Sequence, residues 1–236
     1  MKKTLLSITS LVLTLVALPA AAASSSGWWN LKPYVGVDAQ ERRMDYKGGF
    51  GDNIFKHNSP QGNVYAGVKV HKNLSVELGY EATRTRTRNA TLTTGDESLG
   101  APVTAAVSPS TFKSKIKLKG PHVDIVGFYT LSDRHPSLQL MGSVGVSVFN
   151  STFERRTLHM GGMSVDSTRT IKKTKAVARL GIGLQHMINK HVGARLTMNW
   201  VNTGRIVAHS KDGMSPNITA KPKNTTVYGL GILWVF

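Results

Sequence analysis

The last nine residues of the chain, 228–236, most constrain what it can fold into. Every even position there carries a large apolar side chain, and these are Tyr228, Leu230, Ile232, Trp234 and Phe236. Successive side chains of a strand point to opposite faces, so these five would form one bulky stripe. Such a face suits lipid, and its aromatic ends suit the two membrane interfaces. The segment therefore predicts the closing strand of a β-barrel that crosses a membrane.

The start of the chain has the features of a secretory signal peptide. Met1-Lys2-Lys3 is basic, residues 5–18 are mainly apolar, and a run of alanines offers a cleavage site before Ser24. The apolar core is shorter than the ~20 residues that a spanning helix needs. We expect residues 1–23 to be removed and residues 24–236 to form one exported barrel domain.

Composition narrows the chemistry of this exported domain. The chain has no cysteine, which excludes a lipid-attachment cysteine, disulfides and thiolate metal sites. Its eight histidines show no metal-ligand spacing, and we expect neither a metal nor a cofactor. The formal charge is +17, or +15 once Lys2 and Lys3 leave with the signal. This excess indicates acidic partners such as phosphorylated lipid or sulfated glycans, whereas export disfavours nucleic acid.

Alternation with a period of two recurs along the chain. Eight segments show it, at 31–43, 61–71, 74–88, 112–131, 138–154, 174–187, 191–206 and 228–236. Three connections are short, at 71–73, 132–137 and 189–191, and four are long and polar, at 44–60, 89–111, 155–173 and 207–223. Short turns on one side and long loops on the other are typical of outer-membrane barrels. The sequence predicts an all-β fold, an eight-stranded antiparallel up-and-down transmembrane β-barrel.

Three stretches carry a resemblance to a known family. They are Pro33-Tyr34-Val35-Gly36-Val37, Val192-Gly193-Ala194-Arg195 and the closing residues 228–236. Through them the whole mature chain resembles the small OmpA- and OmpX-type outer-membrane barrels. The resemblance implies the outer membrane of a Gram-negative bacterium, with extracellular long loops and periplasmic termini. It also implies that Tyr228, Leu230, Ile232, Trp234 and Phe236 form the assembly signal read by the barrel assembly machinery.

The predicted inward face carries charge. Seven charged residues are expected inside, namely Asp38, Lys69, Glu77, Glu81, Asp124, Arg179 and Arg195. An eight-stranded barrel has room only for side chains, and an unpaired buried ion costs several kcal/mol. We therefore expect Glu77 and Glu81 to pair with Arg179 and Arg195. The sequence leaves open whether this network is structural or gates a narrow pore.

Basic residues continue two neighbouring strands beyond the apolar segments. One strand carries Arg84, Arg86 and Arg88 at the outward parity of Tyr80. The next carries Lys113, Lys115, Lys117 and Lys119 at the parity of Val123, provided that Gly120-Pro121 inserts no bulge. We expect two adjacent cationic columns, extended by Arg156 and Lys172 on the following hairpin. Lipopolysaccharide phosphates would neutralise them, since Arg grips phosphate bidentately and Lys as a point charge.

The barrel family includes adhesins, resistance factors, structural anchors and a few lipid-modifying enzymes, so the fold alone does not give the function. The sequence favours a non-enzymatic surface barrel that supports the outer membrane or binds acidic host glycans. A low-conductance channel and a lipid-modifying enzyme are the alternatives. We interpret the adjacent pair His209-Ser210 as a coincidence, because a hydrolase also needs a group that orients the base.

Overall fold

The computed structural model describes residues 31–46, 58–92, 110–132, 134–160, 163–202, 206–208, 218–220 and 222–236. The predicted signal segment 1–23 and the proposed boundary at Ser24 lie outside these ranges. Eleven strands are described: β1 (Lys32–Tyr46), β2 (Asn58–His71), β3 (Leu74–Thr83), β4 (Arg86–Leu92), β5 (Ser110–Thr130), β6 (Leu138–Met160), β7 (Met163–Met187), β8 (Val192–Val201), β9 (Ile206–Ala208), β10 (Ile218–Ala220) and β11 (Pro222–Val235). The described residues contain no helix, and so no helix long and apolar enough to cross a membrane.

The strands close into a ring of eight. The sheet runs β3-β2-β1-β11-β8-β7-β6-β5-β4, and β3 also pairs with β5. Because β3 and β4 both pair with β5, they are two pieces of one barrel strand. The first and last barrel strands are antiparallel, with Val37 opposite Ile232. The predicted eight-stranded antiparallel up-and-down barrel is therefore confirmed.

Side chains alternate between the lumen and the outer surface, as the sequence predicts. In β11, Leu230 and Ile232 are 63% and 60% exposed, while Gly231 between them is buried. The same alternation holds in β5, where Val123 and Ile125 are exposed and Asp124 is buried. An outer surface of exposed aliphatic side chains is what a lipid environment requires.

The hairpin between β6 and β7 differs from the sequence-based prediction. Residues 155–173 were expected to form a long loop, because they are rich in Ser, Thr, Gly and basic residues. Instead β6 continues to Met160 and β7 begins at Met163, with the two strands paired throughout this region. The β-branched residues Thr157, Val165, Thr168, Thr170 and Ile171 in this stretch suit a pleated ribbon. The predicted loop 207–223 likewise includes a small hairpin, β9–β10.

Glycines make room for bulky and charged side chains inside the ring. A Cβ at Gly36 would collide with the ring of Tyr65, and a Cβ at Gly67 with the ring of Tyr34. The two tyrosines lie edge to face, with ring centroids 6.4 Å apart. They belong to an apolar cluster with Leu233 at the end of the barrel that carries the short turns. We call this end the short-turn end and the opposite end the long-loop end.

Candidate functional site

Charged side chains fill the middle of the lumen as ion pairs. Nη1 of Arg195 lies 2.9 Å from Oε1 of Glu77, and Nη1 of Arg179 lies 2.8 Å from Oε1 of Glu81. Arg179 also places Nε 3.3 Å from Oδ1 of Asp124. The structure thus brings Arg179 and Arg195 to the carboxylates expected from the sequence. We call this group, together with the residues added below, the interior network.

The other two predicted interior charges lie at the edges of this network. Asp38 is buried and accepts a hydrogen bond of 2.9 Å from Nδ2 of Asn63. Lys69 is half-buried near the short-turn end, with Nζ 4.7 Å from the centre of the Phe128 ring. All seven predicted inward charges therefore lie on the lumen side of their strands.

Arg42 is an interior residue that the sequence reasoning missed. It is fully buried, its Nη2 lies 3.1 Å from Oε2 of Glu81, and its guanidinium lies 4.5 Å from the centre of the Phe149 ring. A usable signal existed, because Arg42 continues the inward parity of Asp38 and Gln40. The predicted inward set of this strand ended at Gln40, one alternation too early.

His122 joins the interior network through a short relay. Its Nδ1 lies 2.7 Å from Oδ2 of Asp124, and its Nε2 lies 2.9 Å from Oδ1 of Asn63. Gly79 leaves room for the imidazole ring of His122, since a Cβ at Gly79 would collide with it. His122 and Asp124 are buried in the barrel, so lipid in the surrounding membrane does not reach them.

Apolar layers cover the interior network on both sides. Tyr34, Tyr65, Leu233 and Val235 cluster at the short-turn end. Toward the long-loop end the buried cluster comprises Phe149, Val177, Val201 and Val227. A lumen with charges in the middle and apolar layers above and below is filled by its own side chains, as expected for a ring of eight strands.

Outside the barrel, basic residues share one face of three adjacent strands. We call this set the outer basic patch: Lys113, Lys115, Lys117, Lys119, Arg156 and Lys172. The pairing of β5 with β6 keeps one register from Lys119 to His122, so Gly120-Pro121 inserts no bulge. The lysines therefore keep the outward parity of Val123.

Strand register arranges the outer basic patch in rows. One row runs Lys117, Thr152 and Lys172 across β5, β6 and β7. With adjacent strands about 4.8 Å apart, the two lysine backbones are about 10 Å apart. In the next row Nζ of Lys115 lies 2.7 Å from Oε1 of Glu154. Glu154 is the one carboxylate among these rows in the described residues, so the patch is strongly positive.

The predicted arginine column does not lie wholly beside the lysines. Ala82 pairs with Lys119, but Arg86 pairs with Ile116, so the register shifts by one residue between β3 and β4. Directly opposed residues share a face, and Ile116 is buried on the inner face. Arg84 keeps the outward parity of Ala82, while Arg86 and Arg88 pair with inner-face positions. The expectation of two cationic columns side by side is wrong beyond Arg84, because the break at residues 84–85 exchanges the faces.

The outer basic patch begins where the apolar surface ends. From Pro121 on β5 to Leu131, one residue past its end, the outward residues are exposed or half-buried, and Tyr129 is 65% exposed. Ten steps of about 3.3 Å at a tilt of about 40° rise about 25 Å, the height of the apolar band of such barrels. Lys119 lies just beyond this band, at the level of lipid headgroups.

The described residues show no group of three or more His, Cys, Asp and Glu side chains that could hold a metal ion. His209 and Ser210, the pair interpreted as a coincidence, lie outside the described residues.

A family model named outer membrane protein beta-barrel domain matches residues 8–236. The chain belongs to this family and is an outer-membrane β-barrel protein of a Gram-negative bacterium. No curated protein sequence matches it.

Solved structures share the fold at low sequence identity. Neisserial surface protein A matches with a TM-score of 0.51 at 11% identity, covering 86% of this chain and 97% of that one. OprG from Pseudomonas aeruginosa matches with a TM-score of 0.51 at 10% identity, covering 87% and 96%. Ail of Yersinia pestis, in complex with the heparin analogue sucrose octasulfate, matches with a TM-score of 0.49 at 14% identity, covering 87% and 99%.

Proposed function

We propose that this protein is a non-enzymatic surface barrel whose outer basic patch binds the phosphates of lipopolysaccharide. In this proposal the long loops are extracellular and both termini are periplasmic. The observation that carries it is the sign of the charge on β5, β6 and β7, where the rows from Lys115 to Lys119 hold four lysines, Lys115, Lys117, Lys119 and Lys172, and one carboxylate, Glu154. Binding of this kind would tie the barrel to its leaflet and support the integrity of the outer membrane.

The position of the patch favours phosphate over other anions. Lys119 and Lys117 stand immediately beyond the apolar band, where lipid phosphates lie, and both are exposed. Like charges on neighbouring strands destabilise a sheet, so a bound anion would relieve their repulsion. Each such charge contributes on the order of 1 kcal/mol near an anionic surface at low salt. Lys113 and Arg156 stand further out on the same ribbon and would extend the contact to sugar-linked phosphates.

The filled lumen supports this proposal over a channel. Arg195 and Arg179 are ion-paired within the barrel, and apolar layers lie on both sides of them. Conduction would require these pairs to separate, which in a low-dielectric interior costs several kcal/mol. The buried place of His122 and Asp124 similarly disfavours their use as a catalytic pair on lipid.

The test compares two double charge reversals at the long-loop end. Lys117→Glu with Lys119→Glu reverses the patch at headgroup level. Arg86→Glu with Arg88→Glu makes the same change in net charge at two positions that the register places on the inner face, paired with Ile116 and Ser114. Calorimetric titration of each refolded protein with purified lipopolysaccharide, at low and high salt, measures the affinity.

We expect the lysine variant to lose affinity by more than tenfold at low salt, since two reversed charges remove about 2 kcal/mol or more. The arginine variant should lose distinctly less. Dephosphorylated lipopolysaccharide should bind the unmodified protein and both variants weakly. Equal losses in the two variants would overturn the assignment to this patch. Binding of heparin without binding of phosphorylated lipopolysaccharide would make an acidic glycan the ligand and overturn the phosphate proposal.

A further inference from the structure

The three short turns share a pattern that the outer basic patch does not explain. Each places a lysine or arginine next to a histidine, as His71-Lys72, Arg134-His135 and Lys190-His191. All six side chains are exposed, and we call them the short-turn rim. Asp133 is the one acidic residue in the sequence of these turns, and it lies outside the described residues. The rim therefore repeats one basic pair at three points around the barrel.

Hydrogen bonds within the turns fix where these charges stand. Oδ1 of Asn189 accepts bonds of 2.8 Å from the backbone N–H groups of His191 and Val192. In the turn between β5 and β6, the N–H of Arg134 donates to Oγ of Ser132 at 3.2 Å. The basic side chains thus project from short, hydrogen-bonded turns at the end of the ring.

The rim lies at the edge of the apolar surface. Leu74, Leu131 and Ile188 are 39%, 46% and 63% exposed, and each is within three residues of the cation in its turn. Three steps along a strand span about 10 Å. The headgroup layer is roughly 5–8 Å thick on each side of the hydrocarbon core. The cations of the rim therefore stand among lipid headgroups at the short-turn end.

We propose that the short-turn rim binds the phosphate groups of anionic phospholipids in the leaflet at this end. Lysine and arginine offer charged donors to a phosphate. In the first turn Nδ1 of His71 accepts from the N–H of Asn73 at 3.3 Å, so the Nε2–H of a neutral His71 remains to donate. Three such pairs around the ring enrich anionic lipid in the first shell around the barrel. This binding is separate from that of the outer basic patch, because the two sets lie at opposite ends of the strands.

Trp234 provides a reporter at this end. It is 48% exposed and stacks on the His191 ring, with centroids 5.8 Å apart and planes 16° apart. Trp200, near the long-loop end of β8, provides the matching reporter for the opposite leaflet. The other two tryptophans of the chain are Trp28 and Trp29. Replacing three of the four by Phe gives two single-tryptophan proteins.

The experiment measures fluorescence quenching in phosphatidylcholine vesicles that contain phosphatidylglycerol with brominated chains. Brominated phosphatidylcholine at the same fraction provides the reference. In the protein that keeps Trp234, we expect phosphatidylglycerol to bind near the reporter several-fold more strongly than phosphatidylcholine at low salt, on the order of fivefold for about one effective charge contact. High salt should reduce this preference.

Two triple variants with the same net charge separate the two ends. Lys72→Gln, Arg134→Gln and Lys190→Gln neutralise the rim, and Lys117→Gln, Lys119→Gln and Lys172→Gln neutralise part of the outer basic patch. The rim variant should abolish the preference at Trp234, whereas the patch variant should leave it. No preference at Trp234 in the protein with an intact rim would overturn the proposal, whether or not the variants fold. An unchanged preference in the rim variant would overturn it as well.

Discussion

Charge in this barrel follows two different rules inside and outside. In the lumen, the buried carboxylates Asp38, Glu77, Glu81 and Asp124 lie among the buried arginines Arg42, Arg179 and Arg195, so the two signs are mixed there. On the outer face of β5, β6 and β7, in the rows from Lys115 to Lys119, the lysines Lys115, Lys117, Lys119 and Lys172 stand beside one carboxylate, Glu154. A buried ion must be neutralised by the protein itself, because desolvation leaves it no other partner. An exposed ion at a membrane surface can be neutralised by something the membrane supplies.

The largest effect is expected on membrane insertion, when the last residue of the outward stripe of β11 is deleted. Deleting Phe236 should lower insertion into the outer membrane far more than it lowers expression, because Phe236 ends the proposed assembly signal. It is 61% exposed, and its N–H donates to the carbonyl of Pro33 at 3.0 Å. Heat-modified gel mobility of outer-membrane fractions measures the inserted form. Assembly of the truncated protein at the wild-type rate and level would show that Phe236 is not part of an assembly signal.

The next largest effect is expected on stability, when one arginine of the interior network is removed. Arg179→Ala leaves Glu81 and Asp124 with one cationic partner fewer, and we expect a loss of about 3–5 kcal/mol in the free energy of unfolding. Lys117→Ala, an exposed matched truncation, should change it by about 0.5 kcal/mol or less. Urea unfolding in lipid vesicles measures both. We also expect Arg179→Ala to raise any conductance in planar bilayers by loosening the lumen.

If Arg179→Ala and Lys117→Ala changed the free energy of unfolding by similar amounts, interior and exterior charges would not differ in their contribution to stability. An unchanged unfolding midpoint together with unchanged conductance for Arg179→Ala would show that the interior network neither stabilises the barrel nor closes it.

A pair of glycines on β6 tests the same contrast without any charge. A Cβ at Gly145 would collide with the carboxylate of Asp124 and the carbonyl of Val123, whereas a Cβ at Gly142, on the outer face, would meet no atom within 4 Å. Gly145→Ala should cost about 1–3 kcal/mol through overpacking. Gly142→Ala should be neutral or slightly stabilising, because alanine restricts the unfolded chain. Equal unfolding midpoints for the two variants would show that the lumen is not tightly packed.

Of these variants, Glu154→Gln should change stability least. Its effect on lipopolysaccharide binding, in contrast, should be measurable. The pair of Glu154 with Lys115 is partly exposed, and such surface pairs contribute about 0–1 kcal/mol. Glu154→Gln should therefore leave the unfolding midpoint almost unchanged. It should strengthen binding to phosphorylated lipopolysaccharide, because it removes the one carboxylate in the described patch. Weaker binding would show that Glu154 organises the site instead of opposing the ligand.

The sequence predicted the inside and outside of the strands well because alternation needs only the order of residues along one strand. Glu77, Asp124 and Arg195 were assigned to the lumen in this way, and the stripe that ends at Phe236 was assigned to the outer surface. Strand alternation also carried the lysines of β5 through Gly120-Pro121. What alternation cannot give is the pairing between strands.

The errors arose where pairing decides the outcome. Nothing in residues 84–85 announces the shift that sets Arg86 opposite Ile116. The polar composition of residues 155–173 suggested a loop, but the ladder between β6 and β7 continues through it. Arg42 is a different case, since alternation from Asp38 and Gln40 places it inside, and only its partner Glu81, two strands away, depends on strand pairing.

The central claim is that the interior neutralises its own charge while the outer basic patch takes its counter-charge from the membrane. The most direct test is urea unfolding of the barrel in vesicles that contain phosphorylated or dephosphorylated lipopolysaccharide. We predict a higher midpoint with the phosphorylated lipid, lost in the Lys117→Glu, Lys119→Glu variant, and an Arg179→Ala penalty of the same size in both lipids. A midpoint independent of lipid phosphorylation, or a penalty for Arg179→Ala that depends on it, would contradict the claim.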